Sequence, residues 1–326
     1  MEYILVTGYA GYIGSHICKE LKRQGYGVVG IDTAEPVDQQ LYNKYVDKAI
    51  TADFSNHIVY HAITRYNIKT VIHTAAASLV GPSIADPNRY YTNNVDNLHL
   101  FLNYCKDGGV ERIVFSSSAA VYGDGHETYY EDTPKQPISP YGRSKLAGEW
   151  ILEDYCRAYG LTVVALRYFN VCGADFDTEF GQRGKPSHIF SVGLTRAIAG
   201  ESIVINGNDY ATASGTCERD YVHVVDVANA NVLAVQTPLS GFTALNIGSG
   251  VGFGNLEIVE AINKYGSNKL EYSFGPARAG DPARLISNIN RAKELLKWKP
   301  ANSKIKTIVT TAERWHIKLN QENTNE

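Results

Sequence analysis

Residues 7–16 read TGYAGYIGSH, with Gly8, Gly11 and Gly14 three residues apart. The loop follows the apolar run YILVT and precedes Ile13, Ile17 and Leu21, which recur at helical intervals. Glycines allow a tight turn between strand and helix, and they let backbone come close to a ligand. The ligand suited to that loop is a pyrophosphate, whose charge then faces the free N–H groups of the helix N-terminus.

The same alternation continues through the first half of the chain. Short β-rich runs occur at Tyr3 to Thr7, Val28 to Asp32, Thr70 to Ala75, Arg112 to Ser117 and Thr162 to Phe169. Between them lie stretches of helical spacing, such as Leu98, Leu102 and Cys105. Continuous apolar strands separated by helices imply a parallel sheet covered on both faces, the Rossmann-type doubly wound α/β fold. At 326 residues the chain exceeds what one core usually holds, so a second domain or a substantial lobe is expected. The rhythm changes after about Asn170, where CGADFDTEFGQRGKPSH is polar, glycine-rich and long. We therefore expect residues 1–170 to form the dinucleotide-binding domain and residues 171–220 and 249–326 a smaller mixed α/β substrate lobe. The runs YVHVV and ALNIG place 221–248 back in the first domain. The tail LNQENTNE has no apolar face and reads as frayed.

Several partner classes fall away on composition. Lys and Arg number 31 against 34 Asp and Glu, with no basic block, which argues against nucleic acid or a membrane surface. No apolar stretch has the length of a membrane span, and the start of the chain lacks the features of a leader. The five cysteines are odd in number and form no C-x-x-C pair, which reads as reduced thiols in a cytoplasmic protein. No metal site is expected.

The second strand ends at Asp32, 18 residues past Gly14, where a carboxylate can accept hydrogen bonds from adenosine ribose hydroxyls. The same carboxylate repels the additional phosphate of NADP, so NAD is the expected cofactor. Asp53 and Phe54, in TADFSN after the third strand region, offer an acceptor and a ring for adenine, although an Asp before Ser-Asn is also an ordinary capping signal. The strand RIVFSS delivers Ser117 and Ser118 at its C-terminal end, the edge where open α/β sheets bind ligands. Downstream, SPYGRSK sets Tyr141 four residues before Lys145, on one helical face. A phenol with a pKa near 10 is a poor base at neutral pH, but a neighbouring lysine and a cationic nicotinamide favour the phenolate. Tyr141 can then take a proton from a sugar hydroxyl while Ser118 hydrogen-bonds the same oxygen.

The order TGxxGxxG, strand-end Asp, serine cluster and Y-x-x-x-K resembles the extended short-chain dehydrogenase/reductase superfamily. GYIGSH, SSSAAVYG, SPYGRSK, LRYFNVCGAD and RDYVHVVDVA together resemble the UDP-glucose 4-epimerases, over nearly the whole chain. The resemblance implies an isomerase with Tyr141 as base, tuned by Lys145, and Ser118 as its hydrogen-bonding partner. It also implies NAD contacts at Tyr12, Ile13, Asp32, Asp53, Phe54, Ala75, Asn93, Lys145 and Phe169, beside the glycine loop. For the UDP-sugar it implies Asn170, Arg219, Arg278, Asp281 and the gating position Leu285, with His188 either contacting the nucleotide or capping its helix. The mechanism implied by the resemblance is that C4 of the sugar is oxidised, the 4-keto sugar turns about its diphosphate, and the hydride returns to the other face. A homodimer is implied too, through segments 86–107 and 140–159, with Leu98, Leu102, Trp150 and Ile151 as apolar candidates that could equally face their own sheet.

The chain departs from that pattern in places. TAAAS puts Thr74 and Ser78 where many members have a ring and a lysine, and Ser187, His188 and Ile189 stand where one branch has Asn-Asn-Leu. Leu285 is of intermediate size, which leaves N-acetylhexosamines open as substrates. Nucleotide-sugar dehydratases need a Thr-Asp-Glu triplet before V-Y-G, and Ser118, Ala119 and Ala120 supply no such acid. A uronic acid 4-epimerase or decarboxylase stays open, as does a non-catalytic NAD-responsive regulator, although such regulators often lose the Tyr or Lys kept here.

Overall fold

The apolar runs become strands buried on both faces. The computed structural model describes residues 1–184, 186, 188–277 and 282–324. The first strand, β1 (Tyr3–Thr7), lies inside the large sheet and is fully buried at Ile4, Leu5 and Val6. Each such side chain contributes roughly 1.5–3 kcal/mol of burial. On one side β1 pairs with β2 (Gly27–Asp32), beyond which lies the mostly exposed edge strand β3 (Lys48–Thr51). On the other side follow β4 (Thr70–His73), β5 (Arg112–Ser118), β6 (Thr162–Tyr168) and β10 (Phe242–Ile247), every pairing being parallel.

Helices α1 (Tyr12–Arg23), α9 (Val224–Gln236) and α11 (Asn290–Leu296) cover one face of this sheet. The other is covered by α3 (Ile58–Arg65), α6 (Asn97–Asp107) and α7 (Pro140–Tyr159). Short helices α2 (Gln39–Tyr42), α4 (Val80–Ala85) and α5 (Pro87–Tyr91) follow β2 and β4. Because β1 connects outward to β2 and the chain then crosses to β4, the strand order reverses between β1 and β4. Doubly wound sheets hold their ligands at that crevice.

Beyond β6 a second layer is built. β7 (Asn170–Cys172), β11 (Gly252–Gly254) and β13 (Arg284–Leu285) each pair with β9 (Glu218–His223), while β8 (Ile203–Asn206) pairs with β12 (Tyr272–Gly275). Helices α8 (Ile189–Ala199), α10 (Asn255–Tyr265) and α12 (Ile305–Thr324) close a separate core around Phe190, Leu194, Ile258, Ile262 and Ile308. Residues 221–223 thus lie in the small sheet, whereas α9 packs on α1 and β10 closes the large sheet.

One expectation is corrected here and one open alternative is decided. The tail is helical as far as Thr324, because Arg183 and Lys318 pair with Glu322 and Lys318 also donates to the Thr178 carbonyl. Leu98 and Leu102 face their own sheet, at 1% and 0% exposure, so of the four apolar candidates only Trp150 is exposed. All five cysteines are free and buried. Among the described residues no helix is long and apolar enough to cross a membrane.

Candidate active site

The glycine loop meets the end of β4 at the switch point. Gly8 has φ +72, a conformation L side chains rarely adopt, and a Cβ there would lie 2.8 Å from the Ala75 nitrogen. A Cβ on Gly14 would come within 2.1 Å of the Gly8 carbonyl oxygen. Gly11 is the N-cap of α1, and it offers no side chain to the first N–H groups of the helix. The first turn holds no acidic residue either, so those donors are available to an anion. This loop fits the pyrophosphate of NAD. Thr74, which stands in for an aromatic residue, ties the loop down by donating to the Thr7 carbonyl at 2.6 Å.

Asp32 ends β2 and accepts from the Ala10 and Ala34 nitrogens, both at 3.1 Å. It borders a cleft of about 230 Å³ that Gly11, Glu35, Asp38, Glu179 and Arg183 also line. Four carboxylates against one guanidinium make this end of the site unfavourable for an added phosphate. Ile13, in the first turn of α1, is half-buried against the core, and the Tyr12 hydroxyl donates to the Gly173 carbonyl at 2.7 Å.

The reading of Asp53 and Phe54 changes. Asp53 accepts from the Ser55 nitrogen at 2.8 Å and hydroxyl at 2.6 Å, so it caps its own turn. The Phe54 ring is 4% exposed and edge-on to His73 and Phe101, which leaves no aromatic face for adenine. Asn93 lies in a π-turn, Thr92–Asp96, a rare geometry that recurs at functional sites. Its amide donates to Asn94, a residue the sequence did not single out. Buried Asn94 bonds the Ala77 nitrogen and carbonyl and the Ser144 hydroxyl, joining the segment after β4 to α7.

The serine, tyrosine and lysine converge at the C-terminal end of β5. Ser118 caps the 3₁₀ turn Ala119–Val121, accepting from the Ala120 nitrogen. Helix α7 begins where it does because Ser139 accepts from the Gly142 nitrogen and Pro140 occupies the first helical position. Tyr141 is 8% exposed and Lys145 4%. Burial holds the Tyr141 phenol above its ordinary range, its contact with the Ser118 hydroxyl brings it down, and Tyr90 adds a smaller upward push. Burial lowers Lys145 to about 7, with Glu149 opposing. Lys145 Nζ donates to the Ser116 carbonyl at 2.9 Å and lies 5.0 Å over the Phe115 ring. In the protein alone the relief of the Tyr141 phenol comes from Ser118.

His73, at the end of β4, is a further group that the sequence reading passed over. It lies between Phe101 and Phe115 with Nδ1 2.8 Å from the Thr7 hydroxyl, and burial lowers it to about 3, so it is neutral.

On the lobe side, Phe169 is buried with Ala119, Val121, Tyr122 and Tyr129, and Leu285 packs against that cluster. The Asn170 amide donates to the Asp220 carbonyl at 3.1 Å. Arg219 donates to the carbonyls of Glu218 and Pro282. His188 occupies the N-cap position of α8 without a side-chain bond to the helix, which removes the capping half of its reading. Its Nδ1 is buried without a hydrogen bond, and burial, with His316 beside it, lowers the ring to about 4. Arg278, Asp281 and Ser187 lie outside the described residues. One carboxylate group with metal-like spacing, Asp175, Asp177 and Glu179, already holds a cation: the Lys19 ammonium bonds all three.

The family described as NAD dependent epimerase/dehydratase matches residues 4–248. The UDP-glucose 4-epimerase of Lacticaseibacillus casei is 40% identical over 322 residues, 96% of either chain. Among solved structures, UDP-glucose 4-epimerase from Brucella ovis in complex with NAD superposes with a TM-score of 0.92 at 36% identity, over 97% of this chain and 99% of that one. The enzyme from Stenotrophomonas maltophila, with bound NAD and formylated UDP-arabinopyranose, gives 0.93 at 33% identity, over 99% and 100%.

Proposed function

Because the chain belongs to the NAD dependent epimerase/dehydratase family, in its UDP-glucose 4-epimerase branch of the extended short-chain dehydrogenases/reductases, we propose that it interconverts UDP-glucose and UDP-galactose by transient oxidation at C4. The observation that carries this reading is the convergence of Tyr141, Ser118 and Lys145 at the end of β5, in the same sheet edge as an uncapped glycine turn. When bound, NAD supplies the acceptor for the C4 hydride and gives the same hydride back.

The protein's own groups do the rest. Tyr141 takes the proton of the sugar 4-hydroxyl and returns it after the sugar has turned over. The Ser118 hydroxyl donates to the same oxygen and steadies its developing charge. Lys145, one helical turn away and kept charged by Glu149, supplies positive charge beside the phenol, and it is suited to hold the nicotinamide ribose. The glycine turn, Tyr12, Ile13, Asp32, Asp53, Ala75, Asn93 and Phe169 hold the cofactor, Phe54 through its backbone alone. Asn170, His188, Arg219 and Leu285, with Arg278 and Asp281, hold the UDP-sugar between the first domain and the lobe of residues 171–220 and 249–326.

The neutral cluster of Phe169, Tyr122 and Leu285 supports a hexose without a carboxylate. Leu285 also leaves the N-acetylated pair within reach. The decisive experiment incubates the purified protein, without added NAD, with UDP-galactose and UDP-N-acetylgalactosamine separately and resolves the products by chromatography. Epimerisation of UDP-galactose is expected; no conversion of either sugar, even after NAD is supplied, would refute the reading.

We also propose that two copies pair through α6 and α7. Trp150 is 59% exposed and Leu100 46%, large apolar surfaces on the two helices concerned. Sedimentation should give twice 35.9 kDa for the native chain and 35.9 kDa for Trp150→Glu. A monomeric native chain at micromolar concentration would dismiss the pairing.

A further inference from the structure

Tyr141, Lys145 and Glu149 are four residues apart and form one stripe along α7. Three consecutive residues of β5 meet that stripe. The Ser118 hydroxyl meets Tyr141, the Ser116 carbonyl accepts from Lys145, and the Ser117 hydroxyl donates to Glu149 Oε1 at 2.5 Å. Behind Glu149 stands Arg167 of β6, which lies opposite Ser117 in the strand register. Arg167 donates through Nε at 2.9 Å to one carboxylate oxygen and through Nη2 at 2.7 Å to the other, and each side chain is 3% exposed. Its Nη1 donates to the Tyr122 hydroxyl at 2.8 Å and the Glu131 carbonyl at 2.9 Å, and Tyr122 passes the chain on to Asn246 of β10 at 2.6 Å.

A buried ion pair is a poor source of stability, since an apolar pair of equal volume does as well or better. It is a good source of fixed geometry and fixed charge. We infer that Glu149, held by Arg167, is a positioning residue of the reaction: it locks α7 against β5 so that the Tyr141 phenol stays at the Ser118 hydroxyl, and it keeps a carboxylate one turn from the Lys145 ammonium. The inference rests on the reading of Tyr141 as proton carrier. The groups facing Lys145 are Tyr141 and Glu149 on α7, the Ser116 carbonyl and Phe115 ring on β5, and neutral His73 on β4, with Arg167 of β6 behind the carboxylate. Of these, Glu149 is the group that opposes desolvation of the ammonium. Without its charge Lys145 gives up its proton more readily, and the phenolate of Tyr141 loses its nearest cation.

The test is Glu149→Gln, which keeps the shape and the bond to Ser117 but not the charge. Turnover of UDP-galactose should fall about tenfold or more with KM changed less than about twofold. The acid limb of the kcat profile should move about half a pH unit or more upward. Because the single change strands a buried Arg167, the double variant Glu149→Gln/Arg167→Gln is measured beside it, with melting temperatures. A folded double variant whose kcat and pH profile match the native protein overturns the inference; a displaced acid limb in that variant supports it. Native turnover in a Tyr141→Phe control would instead overturn the reading of the site itself.

Discussion

Replacing Tyr141 by phenylalanine is expected to lower turnover of UDP-galactose about a thousandfold, within the range removed with a general acid–base group. The substitution is mild in every other respect. The ring is 8% exposed and edge-on to Tyr90 at 6.2 Å, and phenylalanine keeps that packing. What disappears is the hydroxyl, a buried polar atom whose net worth to stability is about 1 kcal/mol. The melting temperature should therefore stay within a few degrees, and the protein should still bind NAD through the glycine turn, some distance along the same sheet edge. Steady-state turnover, thermal melting and NAD content measured on one preparation separate these effects. Native turnover with every UDP-hexose tried would overturn the reading of Tyr141 as the proton carrier.

What could be read from the sequence was what is encoded locally. Gly8, Gly11 and Gly14 specify a turn by their own backbone freedom, and Tyr141 and Lys145 specify a shared face by spacing alone. Both follow from a dozen residues, and the apolar runs that order the sheet are as local. Groups whose meaning depends on register were hidden. Arg167 reaches Glu149 only because β6 pairs with β5 in the register that sets it opposite Ser117. Nothing in LRYFNV announces that partner. His73 read as one more position of a buried strand, and its neutrality arises from Phe101 and Phe115, neither of them near it in sequence. Phe54 failed for the opposite reason: a ring beside a strand end can turn to the ligand or to the core, and here the core rings claim it. The lobe strands β8, β11, β12 and β13 are two to four residues long and partly exposed, too short for periodicity to show. The poise of the tyrosine also needed coordinates, since burial and Ser118 act on its phenol in opposite directions.

Acid should destabilise this protein steeply, by several kcal/mol between pH 7 and pH 5. His16, His73 and His223 are 3%, 3% and 0% exposed, and burial lowers them to about 4, 3 and 3. The geometry explains why none accepts a second proton. His16 Nδ1 donates to the Tyr12 carbonyl at 2.7 Å while its Nε2 has no hydrogen-bonding partner, and Lys19 lies nearby. His223 Nδ1 accepts from the Val225 nitrogen at the start of α9, its Nε2 meets the Thr311 hydroxyl at 3.0 Å, and the Phe176 ring stacks on it at 5.6 Å. In the unfolded chain each ring has its ordinary pKa near 6.5. Below that pH the unfolded state binds protons that the folded state refuses, so stability is fully present above about 6.5 and is lost as pH falls toward 4. These three give a slope of about 4 kcal/mol per pH unit once all are charged in the unfolded chain, and His188, lowered to about 4 as well, adds a fourth increment, against a typical total of roughly 5–15 kcal/mol. Urea unfolding followed by circular dichroism at pH 7, 6 and 5 measures the slope directly. His223→Asn, which keeps an acceptor for the Val225 nitrogen at a helix N-cap, should remove about a quarter of it. An unfolding free energy that does not change over this range would mean that the three rings are charged in the folded protein, and that the seam between α1, α9 and the lobe is wetter than its packing implies.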